Sequence, residues 1–375
     1  MTEKKAETKG LRTWIELDRS AIKHNLAQFR TLIPKKTKLC AVVKSNAYGH
    51  SLIDFSKEVI KNGADWLAVD SAIEGIHLRE QGINVPILVL GYTLPEKMQE
   101  AVDVDLSLSI SNFESLEEIL KISDAKIHIK VDTGMHRQGF MLSDASKLLK
   151  ILSGAKNSLK VEGLFTHFAA AKDPDSKEST QKQIAEFNEW IELFKKAGFN
   201  PIVHAAATSG TILFPEAHFN MVRIGIGLYG LWPSIETKNF AIKITLKPVL
   251  TWKTIVGEVK ILKDGGGVGY DFTETLPKNS KIAILPIGYW HGYPRALSGV
   301  GKVLINKGVA KVVGRVSMDM IVVDVTDIKN IKVGDEVMLV NADKTPTANE
   351  LAEIMEASWY EVITRLNPLI KRIFV

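Results

Sequence analysis

The chain has 375 residues, of which 45% are hydrophobic and 24% are charged, and it carries a net charge of +5. These values are ordinary for a globular protein of one large or two smaller domains, and they favour neither a disordered chain nor a nucleic-acid-binding protein. The longest apolar runs, such as residues 86–90 and 282–287, are much shorter than the roughly 18 residues that a membrane-spanning helix needs.

The start of the chain and its single cysteine predict the cellular compartment in which the protein is found. Cys40 is the only cysteine, so no disulfide bond can form within the chain. The first ten residues are polar and lack the apolar core of a secretory signal. We therefore expect a protein of the reducing cytoplasm, with residues 1–11 forming a tail or packing on the C-terminal domain.

The first two-thirds of the chain alternates short apolar runs with helical patterns. Continuous apolar runs are typical of parallel strands that are buried on both faces. Eight strand–helix units predict a TIM barrel over residues 12–243, with its chemistry at the C-terminal ends of the strands. A doubly wound open sheet is the alternative, because a count of strands does not prove closure. The predicted strands are residues 39–44, 66–70, 86–91, 105–110, 126–132, 159–167, 201–206 and 221–230.

The pattern changes in the last third, where strands follow one another with turn residues between most of them. We predict a second, mainly antiparallel β domain over residues 244–375, which makes the whole chain an α/β protein. Its one clear helix spans residues 347–357, where Thr347 and Glu350 match a capping box. Residues 265–267 are interpreted as a flexible hairpin loop. The predicted strands are residues 249–262, 281–287, 301–305, 309–316, 320–325 and 336–340.

Polar residues lie at the predicted strand ends of the barrel. Lys44 and Arg223 fall within apolar runs, where burial is costly without a partner, so they suggest a ligand. A desolvated lysine can form an imine with an aldehyde cofactor such as pyridoxal phosphate (PLP), and the glycines after Arg223 let backbone amides approach a phosphate. The alternative is that Lys44 is an ordinary strand-end lysine and that His167 and His204 are hydrogen-bonded core histidines. No metal is expected.

The segment AVVKSNAYGH, residues 41–50, closely resembles the PLP-lysine signature of the alanine racemase family. Further blocks resemble the same family, occur in the family's order and extend from about residue 11 to about residue 365. They include KVDTGMHRQG, GLFTHF, FNMVRIGIGLYG, IGYWHGYPR and GRVSMD, at residues 130–139, 163–168, 219–230, 287–295 and 314–319.

The resemblance implies an isomerase that interconverts L- and D-alanine with PLP and supplies D-alanine for peptidoglycan. It also implies an N-terminal TIM barrel, a C-terminal β domain and a head-to-tail homodimer in which each active site is shared. A small amino acid is then the substrate, and neither nucleic acid nor a membrane is expected as a partner.

The resemblance assigns roles by position. Lys44 is implied as the PLP-binding lysine and one catalytic base, and Tyr270 of the partner subunit as the opposite base. Arg223 is implied as the partner of the pyridine nitrogen, supported by His167. Arg137 is implied as a contact of the cofactor hydroxyl and the substrate carboxylate. The remaining implied roles are a substrate contact through the backbone of Met318 of the partner subunit, carbamylation of Lys130, and phosphate binding by Tyr48, Thr208, Gly225, Ile226 and Tyr360.

The implied chemistry needs one base on each face of the substrate. PLP stabilises the carbanion that remains when Cα loses its proton. Lysine and tyrosine ordinarily have pKa values near 10, so both must be tuned downward to act near neutral pH. An arginine beside the pyridine nitrogen is a weak proton donor and is expected to leave the ring largely unprotonated.

Several residues depart from the common family pattern. Ser317 replaces a frequent cysteine, Ala207 and Thr208 replace Asn-Ser, and Lys172 lies near a usual acid. Trp290 and His291 replace Ala-Asp near the substrate entrance, which leaves the selectivity for side chains open.

Two other classes of function are kept as alternatives. The first is a broad-specificity amino-acid racemase or another barrel-type PLP enzyme, such as a decarboxylase. The second is a PLP-carrier protein, which would resemble the barrel alone and would not need Tyr270 or Met318.

Overall fold

The computed structural model describes residues 7–156, 158–241 and 243–375. Of the expected N-terminal tail, residues 1–6 lie outside this described part. The chain divides into two compact units. The barrel unit comprises Ala21–Ala47 and Leu52–Lys247, and the sheet unit comprises the residues up to Ser20, Tyr48–Ser51 and Pro248–Val375.

The barrel unit is built around eight parallel strands that close on themselves. Closure is complete because the last strand pairs with the first, with Cys40 opposite Arg223. This confirms the predicted TIM barrel, and the open doubly wound sheet is wrong. Strand β1 (Thr13–Leu17) precedes the barrel strands, which are β2 Lys38–Val42, β3 Trp66–Val69, β4 Ile87–Val89, β5 Leu106–Ile110, β6 Ala125–Lys130, β7 Leu159–Phe165, β8 Ile202–His204 and β9 Met221–Ile224.

Helices connect the barrel strands and cover them with apolar faces. The first buries Ile22, Leu26 and Phe29, which recur every three or four residues along one face. The helices of this unit are Arg19–Leu32, Leu52–Lys61, Ala72–Glu80, Pro95–Asp103, Phe113–Ile119, Ala145–Gly154, Lys177–Lys196, Thr208–Leu213 and Ile235–Phe240.

Several barrel strands end earlier than their apolar runs predict. β2 ends at Val42, β7 at Phe165 and β9 at Ile224. After β9 the chain forms a 3-10 turn over Ile226–Tyr229 instead of continuing as a strand to residue 230. The residues beyond each strand end therefore form loops at one end of the barrel, which is where a TIM barrel carries its site.

The sheet unit contains a nine-stranded sheet with the order β11-β14-β17-β16-β15-β18-β10-β1-β19. Neighbouring strands are antiparallel except β1 and β19, which are parallel. The sheet thus includes β1 from the start of the chain, whereas the sequence pattern predicts a single boundary after residue 243. The C-terminal strands are β10 Leu250–Ile255, β11 Glu258–Leu262, β12 Gly266–Val268, β13 Glu274–Leu276, β14 Ser280–Leu285, β15 Lys302–Ile305, β16 Gly308–Val313, β17 Ile321–Asp324, β18 Glu336–Val340 and β19 Lys371–Phe374.

Two expectations for this unit are wrong. The predicted strand over residues 249–262 is two strands, since the backbone of Val256 bonds to Asp335 and the chain then enters β11 beside β14. Residues 265–267 are not merely a loop, because β12 pairs with β13 in a hairpin whose turn carries Tyr270. Glycine is required at residue 267, because a Cβ there would lie 2.5 Å from the Phe272 ring.

The C-terminal helices follow the sheet. The predicted capping box is confirmed at the helix Ala348–Ile354, where the Glu350 amide donates to Thr347 Oγ1 at 3.2 Å and the Thr347 amide donates to Glu350 Oε2 at 2.8 Å. A short helix, Trp359–Thr364, comes next. Within the described part of the chain, no helix is both long and apolar enough to cross a membrane.

Candidate active site

The predicted lysine lies just beyond β2, where the backbone takes an unusual path. Ser45, Asn46, Ala47 and Tyr48 all have φ between 50 and 56°. They form one turn of left-handed helix without a glycine, a conformation that costs roughly 1–2 kcal/mol per residue. Such strain persists only where the surroundings hold it, and it is found at ligand-binding segments.

Side chains from neighbouring elements hold this left-handed turn in place. Glu74 Oε1 accepts hydrogen bonds from the backbone amides of Ser45 at 2.7 Å and of Asn46 at 3.4 Å. Asn46 in turn accepts a hydrogen bond from the Leu52 amide at 2.9 Å, at the start of the next helix. The glutamate was not identified from the sequence, since its role depends on a strained backbone that sequence patterns do not reveal.

The amine of Lys44 is accessible. Its Nζ lies 2.8 Å from Asp70 Oδ1, and the two side chains are 36% and 56% exposed. The pair is therefore a solvated ion pair whose attraction is weak. An aldehyde ligand that reaches the end of the barrel finds this amine within reach.

Arg223 contrasts with Lys44 because it is only 3% exposed. Its Nη1 donates to His204 Nδ1 at 2.7 Å, and its Nη2 donates to the carbonyl oxygens of Thr166 and Ala205 at 2.9 Å each. The contact of Nη2 with His167 Nδ1 is longer, 3.3 Å. Among the described residues no carboxylate pairs with this arginine, and burial lowers its pKa to about 10.

A line of polar contacts leads from Arg223 through the barrel interior, with hydrogen bonds as far as His128 and a longer contact from there to Glu162. His204 Nε2 lies 2.8 Å from His128 Nδ1, and His128 Nε2 lies 3.6 Å from Glu162 Oε2. Because arginine only donates, His204 Nδ1 must accept, so in the neutral ring Nε2 carries the proton and points it at His128. His128 then directs its own N–H toward Glu162.

Burial fixes the charge of each member of this line of contacts. It lowers the pKa of both His128 and His204, so both rings are neutral at physiological pH. Burial would raise the pKa of Glu162, but hydrogen bonds from His128, Ser107 and Lys160 lower it to about 2. The line of contacts therefore joins a guanidinium cation to a carboxylate anion through two neutral imidazoles. His204 is therefore a hydrogen-bonded core histidine, the alternative that the sequence left open, and its partners lie on the neighbouring strand β9 and on β6.

Two more residues with implied roles are Lys130, the last residue of β6, and Arg137, which lies in the loop after it. Lys130 is 6% exposed, and its Nζ donates to Gln138 Oε1 at 3.0 Å. Burial and then the charges of Arg137, Arg223 and Lys44 lower the pKa of Lys130 to about 8. Four cationic groups therefore lie close enough to influence one another.

A second acidic residue, besides the Asp70 that pairs with Lys44, is engaged with the backbone. Asp132 accepts hydrogen bonds from the backbone amides of residues 134, 135, 136 and 137 at 2.9–3.1 Å. Burial alone would raise its pKa, but these four bonds lower it overall. The carboxylate thus shapes the loop that carries Arg137, and the cluster keeps an excess of positive charge.

A compact backbone cradle lies after β9. Thr208 Oγ1 accepts from the backbone amides of Gly225 at 3.3 Å and Gly227 at 3.4 Å, two long bonds that leave both amides weakly satisfied. A Cβ on Gly227 would collide with the Phe29 ring. Only glycine therefore lets the turn that contains Ile226 pass this close.

The other predicted residues belong to the sheet unit. Tyr270 opens the turn of the β12–β13 hairpin and is 67% exposed. Its neighbour Asp271 pairs with Arg315 Nε at 2.8 Å. The Met318 carbonyl accepts a hydrogen bond from the Trp290 amide at 3.1 Å, so two of the loops that carry family blocks are joined.

Tyr48 and Tyr360 also lie together in the sheet unit, with 6.1 Å between their ring centroids. Burial, followed by the effect of Tyr48, raises the pKa of Tyr360. The Tyr360 phenol therefore stays protonated near neutral pH and keeps its O–H as a hydrogen-bond donor.

These features fit a PLP site. An accessible amine suits an aldehyde, and the cluster of Lys44, Lys130, Arg137 and Arg223 suits the negative charges of a phosphate and a carboxylate. A buried guanidinium held only by neutral acceptors can still donate to a ring nitrogen.

Comparisons with known proteins give one consistent family. The family model described as "Alanine racemase, N-terminal domain" matches residues 17–233, and "Alanine racemase, C-terminal domain" matches residues 249–374. A protein named alanine racemase from Methanococcus maripaludis is 39% identical over 96% of this chain and 98% of its own length. "Alanine racemase 2" of Bacillus subtilis is 38% identical over 96% of this chain and 94% of its own length.

Solved structures of other proteins point to the same family. An alanine racemase from Clostridium difficile superposes with a TM-score of 0.92 at 33% identity, covering 97% of this chain and 96% of the other. One from Bacillus anthracis with bound L-Ala-P gives 0.91 at 36% identity, covering 97% and 95%.

Proposed function

Since the chain belongs to the alanine racemase family, its reaction is the interconversion of L- and D-alanine, and we propose that it uses PLP held by Lys44, with Tyr270 of a second copy as the opposite base. The observation that supports this most strongly is the accessible Lys44 amine, which belongs to the same cationic cluster as the buried Arg223. When bound, PLP supplies a conjugated ring that stabilises the charge left on Cα after proton loss.

Racemisation requires that a proton leaves one face of Cα and another arrives on the opposite face. In this proposal Lys44 Nζ holds the proton on one side and Tyr270 Oη holds it on the other. The exposed position of Tyr270 on its hairpin turn suits a residue that acts on a neighbouring subunit. The homodimer is thus part of the proposal, because a single chain would then lack a base.

Arg223 is proposed to face the pyridine nitrogen. Its guanidinium remains protonated at physiological pH even with a pKa of about 10. It therefore donates a hydrogen bond without giving up a proton, and the ring nitrogen stays largely unprotonated. Hydrogen bonds to His204 and to the carbonyl oxygens of Thr166 and Ala205 hold the guanidinium in place. His167 is proposed to help orient Arg223.

The phosphate is proposed to bind to backbone and hydroxyl donors. In the barrel unit these donors are Thr208 and the amides of Gly225 and Ile226. Tyr48 and Tyr360 supply phenol donors. Thr208 keeps the hydroxyl of the usual serine, while Ala207 cannot supply the amide side chain found in much of the family.

Arg137 and the backbone of the partner subunit's Met318 are proposed to bind the substrate carboxylate. Lys130 is proposed to become carbamylated: its neutral amine attacks carbon dioxide, an N–C bond forms and one proton is released. A pKa of about 8 supports this, because a substantial fraction of the amine is then neutral at mildly alkaline pH. The resulting anion would pair with Arg137. The nearby Asp132 carboxylate does not serve this purpose, because it already accepts hydrogen bonds from four backbone amides.

Borohydride trapping and isotope exchange test this proposal. Reduction of the PLP-loaded protein should fix the cofactor to Lys44, and incubation with L-alanine in D2O should produce D-alanine labelled at Cα without release of CO2. Protein that traps no cofactor, or that traps it elsewhere, would contradict the proposal.

The substrate range is tested in the same assay with L-serine and L-lysine. Alanine should be the preferred substrate, and comparable turnover of all three would instead indicate the broad-specificity racemase. Release of CO2 would indicate a decarboxylase. A supply of D-alanine for peptidoglycan in the cytoplasm completes the proposed role.

A further inference from the structure

The last strand carries an arginine that has no part in the proposed chemistry. Arg372 Nε and Nη2 both donate to the carbonyl oxygen of Gly49, at 3.1 and 3.0 Å. The other donors reach three more carbonyl oxygens, those of Asn367 at 2.7 Å, Ile370 at 2.5 Å and Leu366 at 3.4 Å. One guanidinium therefore joins two separate backbone segments.

Arg372 is held by hydrogen bonds to backbone carbonyl oxygens and not by ion pairs. Among the described residues no carboxylate forms an ion pair with it, and burial lowers its pKa to about 10. Desolvating a cation without an opposite charge is unfavourable. What the residue contributes is a rigid planar fork of five N–H donors, which fixes the distance between the groups that accept from it.

The two joined segments are those that present the phenols of the phosphate site. Gly49 directly follows Tyr48, while Leu366 comes just after the helix Trp359–Thr364, which carries Tyr360. The segments touch, because a Cβ on Gly49, whose φ is +83°, would overlap the carbonyl oxygen of Ile363 in that helix. The Tyr48 and Tyr360 rings are 6.1 Å apart.

We propose that Arg372 is a positioning residue that fixes the spacing of Tyr48 and Tyr360 and so sets the affinity for the phosphate of PLP. The inference rests on the proposed function, in which both phenols bind that phosphate. Donors held in place before a ligand arrives lose little freedom on binding, so an affinity that depends on them falls when their support is removed.

The test is Arg372→Lys, which keeps the charge but offers one point donor in place of a planar fork. The dissociation constant of PLP, measured by titrating apoprotein, should rise about tenfold, because the fork's bonds to Gly49 are lost. The matched control is Arg79→Lys. Arg79 donates to four backbone carbonyl groups before β4 and β5, those of Ile83, Val85, Val104 and Asp105, at 2.6–3.0 Å.

Arg79 lies on the helix Ala72–Glu80 and contacts the backbone just before the N-terminal ends of β4 and β5. The candidate site, by contrast, is at the C-terminal ends of the barrel strands. Arg79→Lys should lower thermal stability while leaving the dissociation constant within about twofold of the wild-type value. This comparison separates loss of general stability from loss of phosphate affinity.

A double-mutant cycle with Tyr48→Phe separates positioning from direct contact. If Arg372 acts through Tyr48, Arg372→Lys should change the dissociation constant less than about twofold in the Tyr48→Phe background. An undiminished loss in that background, or no loss in the single variant, would overturn the inference. If Arg372→Lys does not fold, Arg372→Gln, which retains one amide donor for Gly49, takes its place in the cycle. Wild-type protein that binds no PLP would refute the proposed function instead.

Discussion

At the scale of single residues, burial sets the charges on which the proposed chemistry depends. Lys44 is solvated and weakly paired, whereas Lys130 and Arg223 are buried and their pKa values are lowered to about 8 and about 10. Cys40 illustrates the opposite effect, because burial raises its pKa to about 12 and keeps the thiol inert. Among the cationic groups of the candidate site, Lys44 therefore provides an accessible amine, whereas Lys130 and Arg223 are buried.

Removing the Tyr270 hydroxyl tests the second base. Tyr270→Phe should reduce racemisation by at least about a hundredfold, since general acid–base catalysis typically contributes that much. Bound PLP and its visible absorbance should be unchanged, because Tyr270 is assigned no cofactor contact. Retained turnover would remove the tyrosine from its role, and a non-enzymatic PLP carrier would show no difference at all.

Carbamylation of Lys130 should depend on pH. With 13C-labelled bicarbonate, a carbamate signal should appear by NMR and grow as the pH rises through about 8, because only the neutral amine reacts with carbon dioxide. The signal should be absent in Lys130→Arg. A wild-type spectrum without the signal at pH 9 would contradict the proposal.

The pKa of Glu162 predicts acid sensitivity. Its folded pKa of about 2 lies below the ordinary value of 4.5, so its stabilising contribution is complete above pH 4.5 and is lost as the pH falls toward 2. The side chain is 12% exposed, so solvent screens its interactions only weakly.

Denaturant unfolding between pH 6 and pH 3 measures this contribution. Glu162→Gln should be less stable than wild type at pH 6, and the difference should shrink as the pH falls. The exposed Glu118→Gln, which loses only a surface pair with Lys121, should follow the wild-type curve. A constant gap between Glu162→Gln and wild type would contradict the assignment.

At the scale of elements, the site depends on backbone shapes that sequence periodicity does not encode. The left-handed turn after β2 and the 3-10 turn after β9 both follow strands whose apolar runs continue past the observed ends. Periodicity located the strands because burial on both faces dictates their composition. It did not locate their ends, because the turns that follow depend on tertiary contacts, those of Glu74 after β2 and the close packing of Gly227 against Phe29 after β9.

Glu74 should therefore matter for cofactor binding. Glu74→Gln loses half of the acceptor capacity that holds the amides of Ser45 and Asp70, at a cost of about 1–3 kcal/mol. The strained turn should relax, and PLP should bind more weakly in an apoprotein titration. Glu118→Gln is again the control, and equal affinities for the two variants would refute this role.

The hairpin that carries Tyr270 gives a second test at this scale. Gly267→Ala places a methyl group 2.5 Å from the Phe272 ring, so the turn must shift. Racemisation should fall while PLP binding is retained. Gly257→Ala, whose Cβ has 3.4 Å to its nearest neighbour and whose φ is not positive, should leave activity close to wild type. Full activity in Gly267→Ala would show that the turn's position is unimportant.

At the scale of the whole molecule, the family resemblance predicted more of the fold than the residue patterns alone did. Patterns gave eight strands but left closure open, and pairing of β9 with β2 resolved it. They also drew one boundary between domains, whereas β1 from the start of the chain lies in the C-terminal sheet. Such long-range pairing leaves no local signal, since a strand's composition does not identify its neighbour.

The sheet unit exposes several large apolar or aromatic side chains, on the hairpin turn of Tyr270 and in the loops of residues 287–295 and 314–319. Soluble monomers seldom leave such residues uncovered, which supports a partner subunit in the proposal. The exposed fractions are 67% for Tyr270, 73% for Phe272, 43% for Tyr289, 58% for Trp290 and 54% for Met318.

The most direct test of a site shared between two chains is to mix two inactive variants. Lys44→Ala and Tyr270→Phe homodimers each lack one base at both sites, but a mixed dimer has one site with both bases intact. After subunit exchange at equal concentrations, half of the dimers are mixed, so racemisation should recover to about a quarter of the wild-type rate. No recovery, with mixed dimers demonstrated by mass spectrometry, would contradict the shared site.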